Sequence, residues 1–308
     1  MVDLSIQLAP KNPKGLLLAN PVMTASGTFG YGTEYSDLVD IQKLGAIVCK
    51  GTTLKSREGN PQPRLVETAS GLLNSVGLEN IGVEAVIREK APIWSKWRVP
   101  VIVNIAGETI DEYREVAERL EGVSGISALE VNISCPNVSS GGIEFCSSVI
   151  SAAAVTEKVK AVSTLPIVVK LSPNVTDIVE IASAVSAAGA DAITLINTVR
   201  GMAIDINKHR PSLGSYFGGL SGPAIKPIAL YMVYKVASAV DIPIIGCGGI
   251  NNAQDAVEFI VAGASAVQIG TANLANPGAA LDVLDGLKQF MTENGATNLR
   301  AVIGKARN

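Results

Sequence analysis

The amino-acid sequence predicts an α/β fold: a (β/α)8 TIM barrel with an N-terminal β-hairpin cap and long loops at its C-terminal face. Three observations lead there. Short runs rich in Val and Ile alternate with longer helical patterns, as in a parallel sheet covered by helices. Eight such runs are present, which favours a closed barrel over an open sheet. The chain has 308 residues, 47% hydrophobic and 17% charged, enough apolar material for the core of one barrel domain spanning 1–308.

The elements follow in order. LSIQL and LLLAN flank KNPKG and read as a β-hairpin that could plug one barrel end. The barrel strands are then PVMTAS (21–26), AIVCKG (46–51), PVIVNIA (100–106) and ALEVNISC (128–135). PIVVKL (166–171), AITLIN (192–197), PIIGCGG (243–249) and AVQIGT (266–271) complete the set. DEYREVAERL (111–120) has apolar positions at helical spacing, with Asp111 and Glu112 placed to favour the helix dipole. TDIVEIASAVSAAGA (176–190) opens on a Thr cap and closes at Gly189. NAQDAVEFIVAGAS (252–265) uses Asn252 and Gly263 in the same way, and a last helix over about 277–294 begins at Pro277. Long connections follow the second strand (52–80), the fourth (136–145) and the sixth (198–222). Loops beyond ~12–15 residues are usually functional or disordered, and these three leave the face where barrel chemistry sits.

The formal net charge is −3, so no broad attraction for nucleic acid or an anionic membrane is expected. Four cysteines, Cys49, Cys135, Cys146 and Cys247, form no C-x-x-C pair, and His209 is the single histidine. That argues against a metal site built from this chain and for a reducing cytoplasm. No secretory leader or membrane-spanning run is legible.

The residues that end the apolar runs are polar or glycine at every strand: Ser26, Lys50, Asn104, Asn132 with Cys135, Lys170, Asn197, Gly248 with Gly249, and Gly270 with Thr271. A purely structural barrel does not need two lysines and three asparagines on one rim, and a single pocket would gather them. GCGGI entering a helix and the QIGT turn expose backbone N–H groups suited to a phosphate. Lys50 and Lys170 close apolar strands, where lysine is rare without a partner. Each suits a Schiff-base nucleophile, a phosphate clamp or an anion stabiliser. Pro136 biases Cys135 toward extended geometry. Taken alone, the thiol is as well read as an inert small hydrophobe. Cys49, Cys146 and Cys247 read as structural, and His209, in NKHRP, as a surface residue. With no histidine near the rim, Cys135 becomes the best candidate for proton transfer.

At this point the chain resembles the class 1 dihydroorotate dehydrogenases along essentially its whole length. The motifs are NPVMTASGTFGYG (20–32), KGTT (50–53), REGNPQPR (57–64), NSVGLENIG (74–82), NISCPN (132–137), INTVRGMAID (196–205), GGLSGPAIKP (218–227), GCGGI (246–250) and QIGTA (268–272). TVRGMAID and GGLSGPAIKP look like the B-type catalytic subunit. Cys247 is a small departure, since relatives often carry Met or Thr there.

The resemblance implies oxidation of dihydroorotate to orotate in pyrimidine biosynthesis, with FMN as cofactor. It implies that Cys135 takes a proton from C5 while hydride leaves C6, and that Lys170 stabilises the anionic flavin edge. Lys50 would contact both flavin and the substrate carboxylate. FMN positions carry over to Ser26, Lys50, Gly51, Asn104, Asn132, Lys170, Ile196, Gly222, Gly248, Gly249, Gly270 and Thr271. Substrate positions carry over to Lys50, Asn74, Ser75, Val76, Gly77, Leu78, Asn132, Asn137, Asn197 and Thr198, with 136–145 as a lid. It also implies a partner subunit carrying FAD and a [2Fe–2S] cluster that passes electrons to NAD⁺, around a homodimeric core of a heterotetramer. Other readings stay open beside it: a fumarate-using A-type enzyme, another FMN barrel acting on pyrimidines, a phosphate-barrel aldolase using Lys170, or a non-catalytic flavin-binding subunit.

Overall fold

Eight parallel strands close on themselves in a computed structural model that describes residues 2–134 and 148–307. Their order around the ring is Val22–Thr24, Ala266–Ile269, Ile244–Cys247, Ala192–Leu195, Ile167–Leu171, Ala128–Asn132, Val101–Ile105 and Ile47–Val48. The seam between first and last is a Met23–Ala46 bridge. Gly45 N–H donates across it to Val22 O at 2.8 Å, and Thr24 Oγ1 accepts from Val48 N–H at 3.0 Å. A Cβ on Gly45 would lie 2.0 Å from Asn20 O, so only glycine lets the seam close. Both faces of these strands are buried, which is why they read as continuous apolar runs. All but Ile167–Leu171, which ends with its run, stop one to three residues before the end of the run they were read from, so Ser26, Lys50 and Thr271 sit just beyond strand ends, on the rim.

Helices follow the strands. Ile110–Leu120 starts at Thr109, whose hydroxyl accepts from Glu112 N–H, and buries Tyr113, Val116, Ala117 and Leu120. Val149–Val162 and Lys226–Ala237 complete the ring beside Ile178–Ala187, Ala253–Ala262 and Ala279–Glu293. Two helix starts differ from expectation. Asp177, not Thr176, caps Ile178–Ala187, because its carboxylate reaches Val179 N–H. Pro277 precedes the last helix rather than opening it, with Gly278 at the cap. Asn252 and Asp255 form a full capping box, and Gly263 ends that helix as expected.

The opening hairpin pairs Ile6–Gln7 with Leu17–Leu18. It docks at the N-terminal end of the strands, where Asn12 Nδ2 donates to the Asp191 carboxylate at 3.2 Å, just ahead of strand Ala192–Leu195. Leu8 and Leu18 are fully buried there, each worth about 1.5–3 kcal/mol of burial.

The other end is different. The connections after the second and sixth strands, read from sequence as long loops, build a four-stranded antiparallel sheet in the order Val199–Gly201, Gly218–Ser221, Gly71–Asn74, Leu65–Thr68. A Cβ on Gly219 would lie 1.9 Å from Thr198 Oγ1, and one on Gly71 2.0 Å from Ser221 O. Glycine at 71 therefore lets the two connections pair this closely, and glycine at 219 clears Thr198 within its own connection. The stretch after the fourth strand, with Cys135, Asn137, Cys146 and the expected lid, lies outside the described residues.

Candidate functional site

The strand ends and the antiparallel sheet enclose a cavity of about 1030 Å³. All the described candidate residues line it, and all eight barrel strands contribute. Ser26, Lys50, Gly51, Asn104, Asn132, Lys170, Ile196, Asn197 and Thr198 lie along the rim. Gly248, Gly249, Gly270 and Thr271 come from the last two strand ends, and Asn74 to Leu78 and Gly222 from the overlying connections.

The floor is a polar network built on three residues that the sequence reading did not single out, Glu130, Thr194 and Gln268. Glu130 is fully buried in the middle of ALEVN. Its Oε1 accepts from Asn104 Nδ2 at 2.7 Å. Its Oε2 accepts from Gln268 Nε2 at 2.6 Å and Thr194 Oγ1 at 3.0 Å. Gln268 Oε1 in turn accepts from Lys170 Nζ at 3.4 Å, and Ser26 Oγ accepts from the same ammonium at 3.4 Å. Burial opposes the charge on Lys170, but the facing Cys247 and Glu130 outweigh it and hold its pKa above the ordinary lysine value. Lys170 is thus an ammonium, 4% exposed, at the bottom of the cavity. Asn104 Oδ1 has no hydrogen-bond partner among the described residues.

One side wall carries Lys50. Its ammonium lies 3.6 Å from the Glu79 carboxylate, which Arg64 also holds at 3.1 Å. The two rim lysines thus have separate partners: Lys50 has Glu79, and Lys170 has Gln268 with Glu130 beyond it. Ser75 is tied to Asn60 Nδ2 at 2.8 Å, and Asn74 Nδ2 donates to Gly219 O at 3.1 Å, fixing 74–78 against the roof.

Opposite, Asn132 Oδ1 accepts from Ser134 Oγ, and Asn197 Nδ2 donates to the same hydroxyl. Tyr113 OH holds the Asn132 carbonyl from below at 2.7 Å. Asn197 Oδ1 accepts from Thr198 N–H at 2.7 Å. Asn132 and Asn197 therefore share one face, each with part of its amide left for a ligand. An asparagine offers both donor and acceptor, which suits the edge of a cyclic imide or amide.

At the last two strand ends, the backbone N–H groups of Gly248, Gly249, Gly270 and Thr271 have no acceptor among the described residues. The helix that follows Gly249 contributes less than expected, because its capping box uses Asn252 and Asp255 to satisfy its own first turn. What could receive an anion here is the pair of glycine turns. Gly249 has φ +75°, and a Cβ there would lie 2.7 Å from Lys226 N. Thr271 Oγ1 donates to Ser221 Oγ at 2.8 Å, linking turn and roof.

Cys247, expected to be structural, lines the cavity, although burial raises its thiol pKa against the pull of Lys170. Cys49 is buried and its thiol is pushed up to about 12, chiefly by desolvation. His209 is exposed, as expected. No helix among the described residues is long and apolar enough to cross a membrane.

Comparison with known proteins follows the same lines. The family described as "Dihydroorotate dehydrogenase" matches residues 9–291. The chain is 57% identical over 289 residues to "Dihydroorotate dehydrogenase B (NAD(+)), catalytic subunit" of Desulforamulus reducens, covering 94% of this chain and 95% of the other. It is 56% identical to the protein of the same description from Desulforudis audaxviator, covering 95% of each chain. For that of Geotalea uraniireducens the identity is 52%, covering 98% of this chain and 97% of the other.

Proposed function

This chain belongs to the dihydroorotate dehydrogenase family, and we propose that it is the catalytic subunit of an NAD⁺-linked dihydroorotate dehydrogenase, oxidising dihydroorotate to orotate in pyrimidine biosynthesis. The observation that carries the activity is identity above half over nearly the full length of relatives so described. The cavity supports it by gathering lysines, asparagines and an anion cradle on one barrel mouth.

The residues present fit FMN. N–H groups at Gly248, Gly249, Gly270 and Thr271, without an acceptor among the described residues, suit its phosphate. The orphaned Asn104 Oδ1 suits a ring N–H donor. Ser26, Lys50, Gly51, Asn132, Ile196 and Gly222 would complete the contacts, with Lys170 as a fixed positive charge at the cavity floor. When bound, FMN supplies the two-electron acceptor for the hydride that leaves C6 of dihydroorotate.

The chain's own residues do the rest. Lys50 turns its ammonium to the substrate carboxylate, a charge-assisted contact. Asn74, Asn132, Asn137 and Asn197 grip the amide edges of the ring, helped by Ser75 to Leu78 and Thr198. Cys135 takes the proton from C5. A thiol titrates near 8.5, close enough to neutral pH for general-base work. Lys170, only 4% exposed, holds positive charge where the reaction delivers negative charge.

The words "catalytic subunit" and "NAD(+)" in the relatives' names support a second subunit that takes the electrons onward. We assign FAD and a [2Fe–2S] cluster to that partner, a homodimeric core of a heterotetramer to this chain, and the cytoplasm to the complex. Purification from native cells tests this. The expected product contains this chain with releasable FMN and a second polypeptide with FAD and iron. A preparation without flavin would count for a phosphate-barrel aldolase instead.

A further inference from the structure

The buried Glu130 has no place in the roles above, yet it touches three side chains beneath the cavity. An ionised carboxylate only accepts hydrogen bonds. Asn104 must therefore turn Nδ2 toward Glu130 Oε1, at 2.7 Å, which leaves Oδ1 as the atom on its other side. That Oδ1 is unpartnered, and it lies 3.1 Å from where a Cβ on Gly51 would stand, at the cavity wall. Gln268 must likewise turn Nε2 toward Glu130 Oε2, at 2.6 Å, which leaves Oε1 to accept from Lys170 at 3.4 Å. One carboxylate thus dictates the orientation of two amides.

We propose that Glu130 is a positioning residue that sets the hydrogen-bond polarity of the cavity floor, so that the floor offers a bound flavin an acceptor at Asn104 and a correctly held ammonium at Lys170. This rests on the reading of the cavity as an FMN site. A glutamine at 130 has the same shape but must place an NH2 on one side. Facing Gln268, it would force that amide to present its own NH2 to an ammonium. Facing Asn104, it would turn Nδ2 of that residue into the cavity and replace the acceptor with a donor. The second arrangement avoids opposing two donors at Lys170 and is the one expected.

Charge and shape are separable by two variants. Glu130→Asp keeps an acceptor-only group but leaves a gap, whereas Glu130→Gln keeps the volume and loses the polarity. The measurement is the affinity of flavin-stripped protein for FMN, followed by quenching of flavin fluorescence, with the absorption bands of the bound flavin and the melting temperature of each apoprotein. Glu130→Gln is expected to bind FMN at least about tenfold more weakly than wild type, the factor that goes with one unmade hydrogen bond to a buried group. Glu130→Asp is expected to fall between them. A Glu130→Gln chain that fails to fold beside a folded Glu130→Asp chain supports the same order, since packing alone ranks them oppositely. Wild-type affinity and spectrum in Glu130→Gln, or Glu130→Asp as the worse binder, overturns the proposal. Failure of the wild-type chain itself to bind FMN overturns the FMN reading and this inference with it.

Discussion

Lys50 Nζ stands 3.6 Å from Glu79 Oε2, the same carboxylate oxygen that Arg64 Nη1 holds at 3.1 Å. Glu79 thus occupies the partner role that a substrate carboxylate takes in the proposed reaction. Lys50→Ala is expected to weaken orotate binding roughly tenfold to a hundredfold, from a lost contact of ~1.5–3 kcal/mol. Glu79→Gln is expected to act oppositely and mildly, tightening orotate no more than about fivefold, since its side chain is 47% exposed and such pairs are worth at most about 1 kcal/mol. Orotate titration of the flavin spectrum reads both. Unchanged affinity in Lys50→Ala removes that lysine from the site.

The glycine turns at Gly248 to Gly249 and Gly270 to Thr271 make a second expectation. Thr271→Glu brings a carboxylate to N–H groups that have no other acceptor among the described residues. FMN occupancy should fall by more than about tenfold, with little change in the melting temperature of the apoprotein. Gly249→Ala should also lose flavin, but through the backbone, because of φ +75° and the close Lys226 N. Full occupancy in Thr271→Glu contradicts the phosphate assignment.

Lys170 carries a pH expectation. Its folded pKa is raised, so the folded chain holds this proton more tightly than the unfolded chain. The stability this contributes is complete below the unfolded value, near 10.5, and is lost only as pH rises through the folded value. Lys170→Met leaves Gln268 Oε1 without its donor and should cost about 1–3 kcal/mol. The melting-temperature gap to wild type should stay constant from about pH 6 to about pH 9. A gap that narrows across that range would show that Lys170 deprotonates there.

How much of this was legible in the sequence divides by physics. The eight strands and their polar ends were, because buried parallel strands leave uninterrupted apolar runs that end where side chains meet the cavity. Glu130, Thr194 and Gln268 were passed over for the same reason. When both faces of a strand are buried, no alternation marks which residues point inward. The available signal was a charged or amide side chain in the middle of ALEVN and AVQIGT. The roof sheet escaped because its strands are short and rich in glycine, including Gly71, Gly218 and Gly219, and are stabilised by pairing across the two connections. The start of Ile178–Ala187 shifted by one residue because the Asp177 carboxylate, not the Thr176 hydroxyl, reaches the Val179 N–H.

Cys135, which lies outside the described residues, is assigned as the base from the NISCPN motif. Serine in its place keeps a similar shape with a far less acidic hydroxyl. General-base catalysis contributes ~10²–10⁴-fold, so Cys135→Ser should slow reduction of the flavin by about that order while FMN stays bound. Raising the pH should recover part of the loss as residual bases become available. Equal rates at neutral pH would reduce the thiol to a packing role.

The most direct measurement is anaerobic mixing of the purified, flavin-loaded chain with dihydroorotate, followed by visible absorption and by assay of orotate. The flavin bands should bleach within the mixing experiment, with one orotate formed per flavin, and the chain alone should pass those electrons poorly to NAD⁺. A protein that carries FMN yet keeps its absorption unchanged with dihydroorotate would contradict the proposed reaction, and rapid NAD⁺ reduction by the isolated chain would contradict the partner.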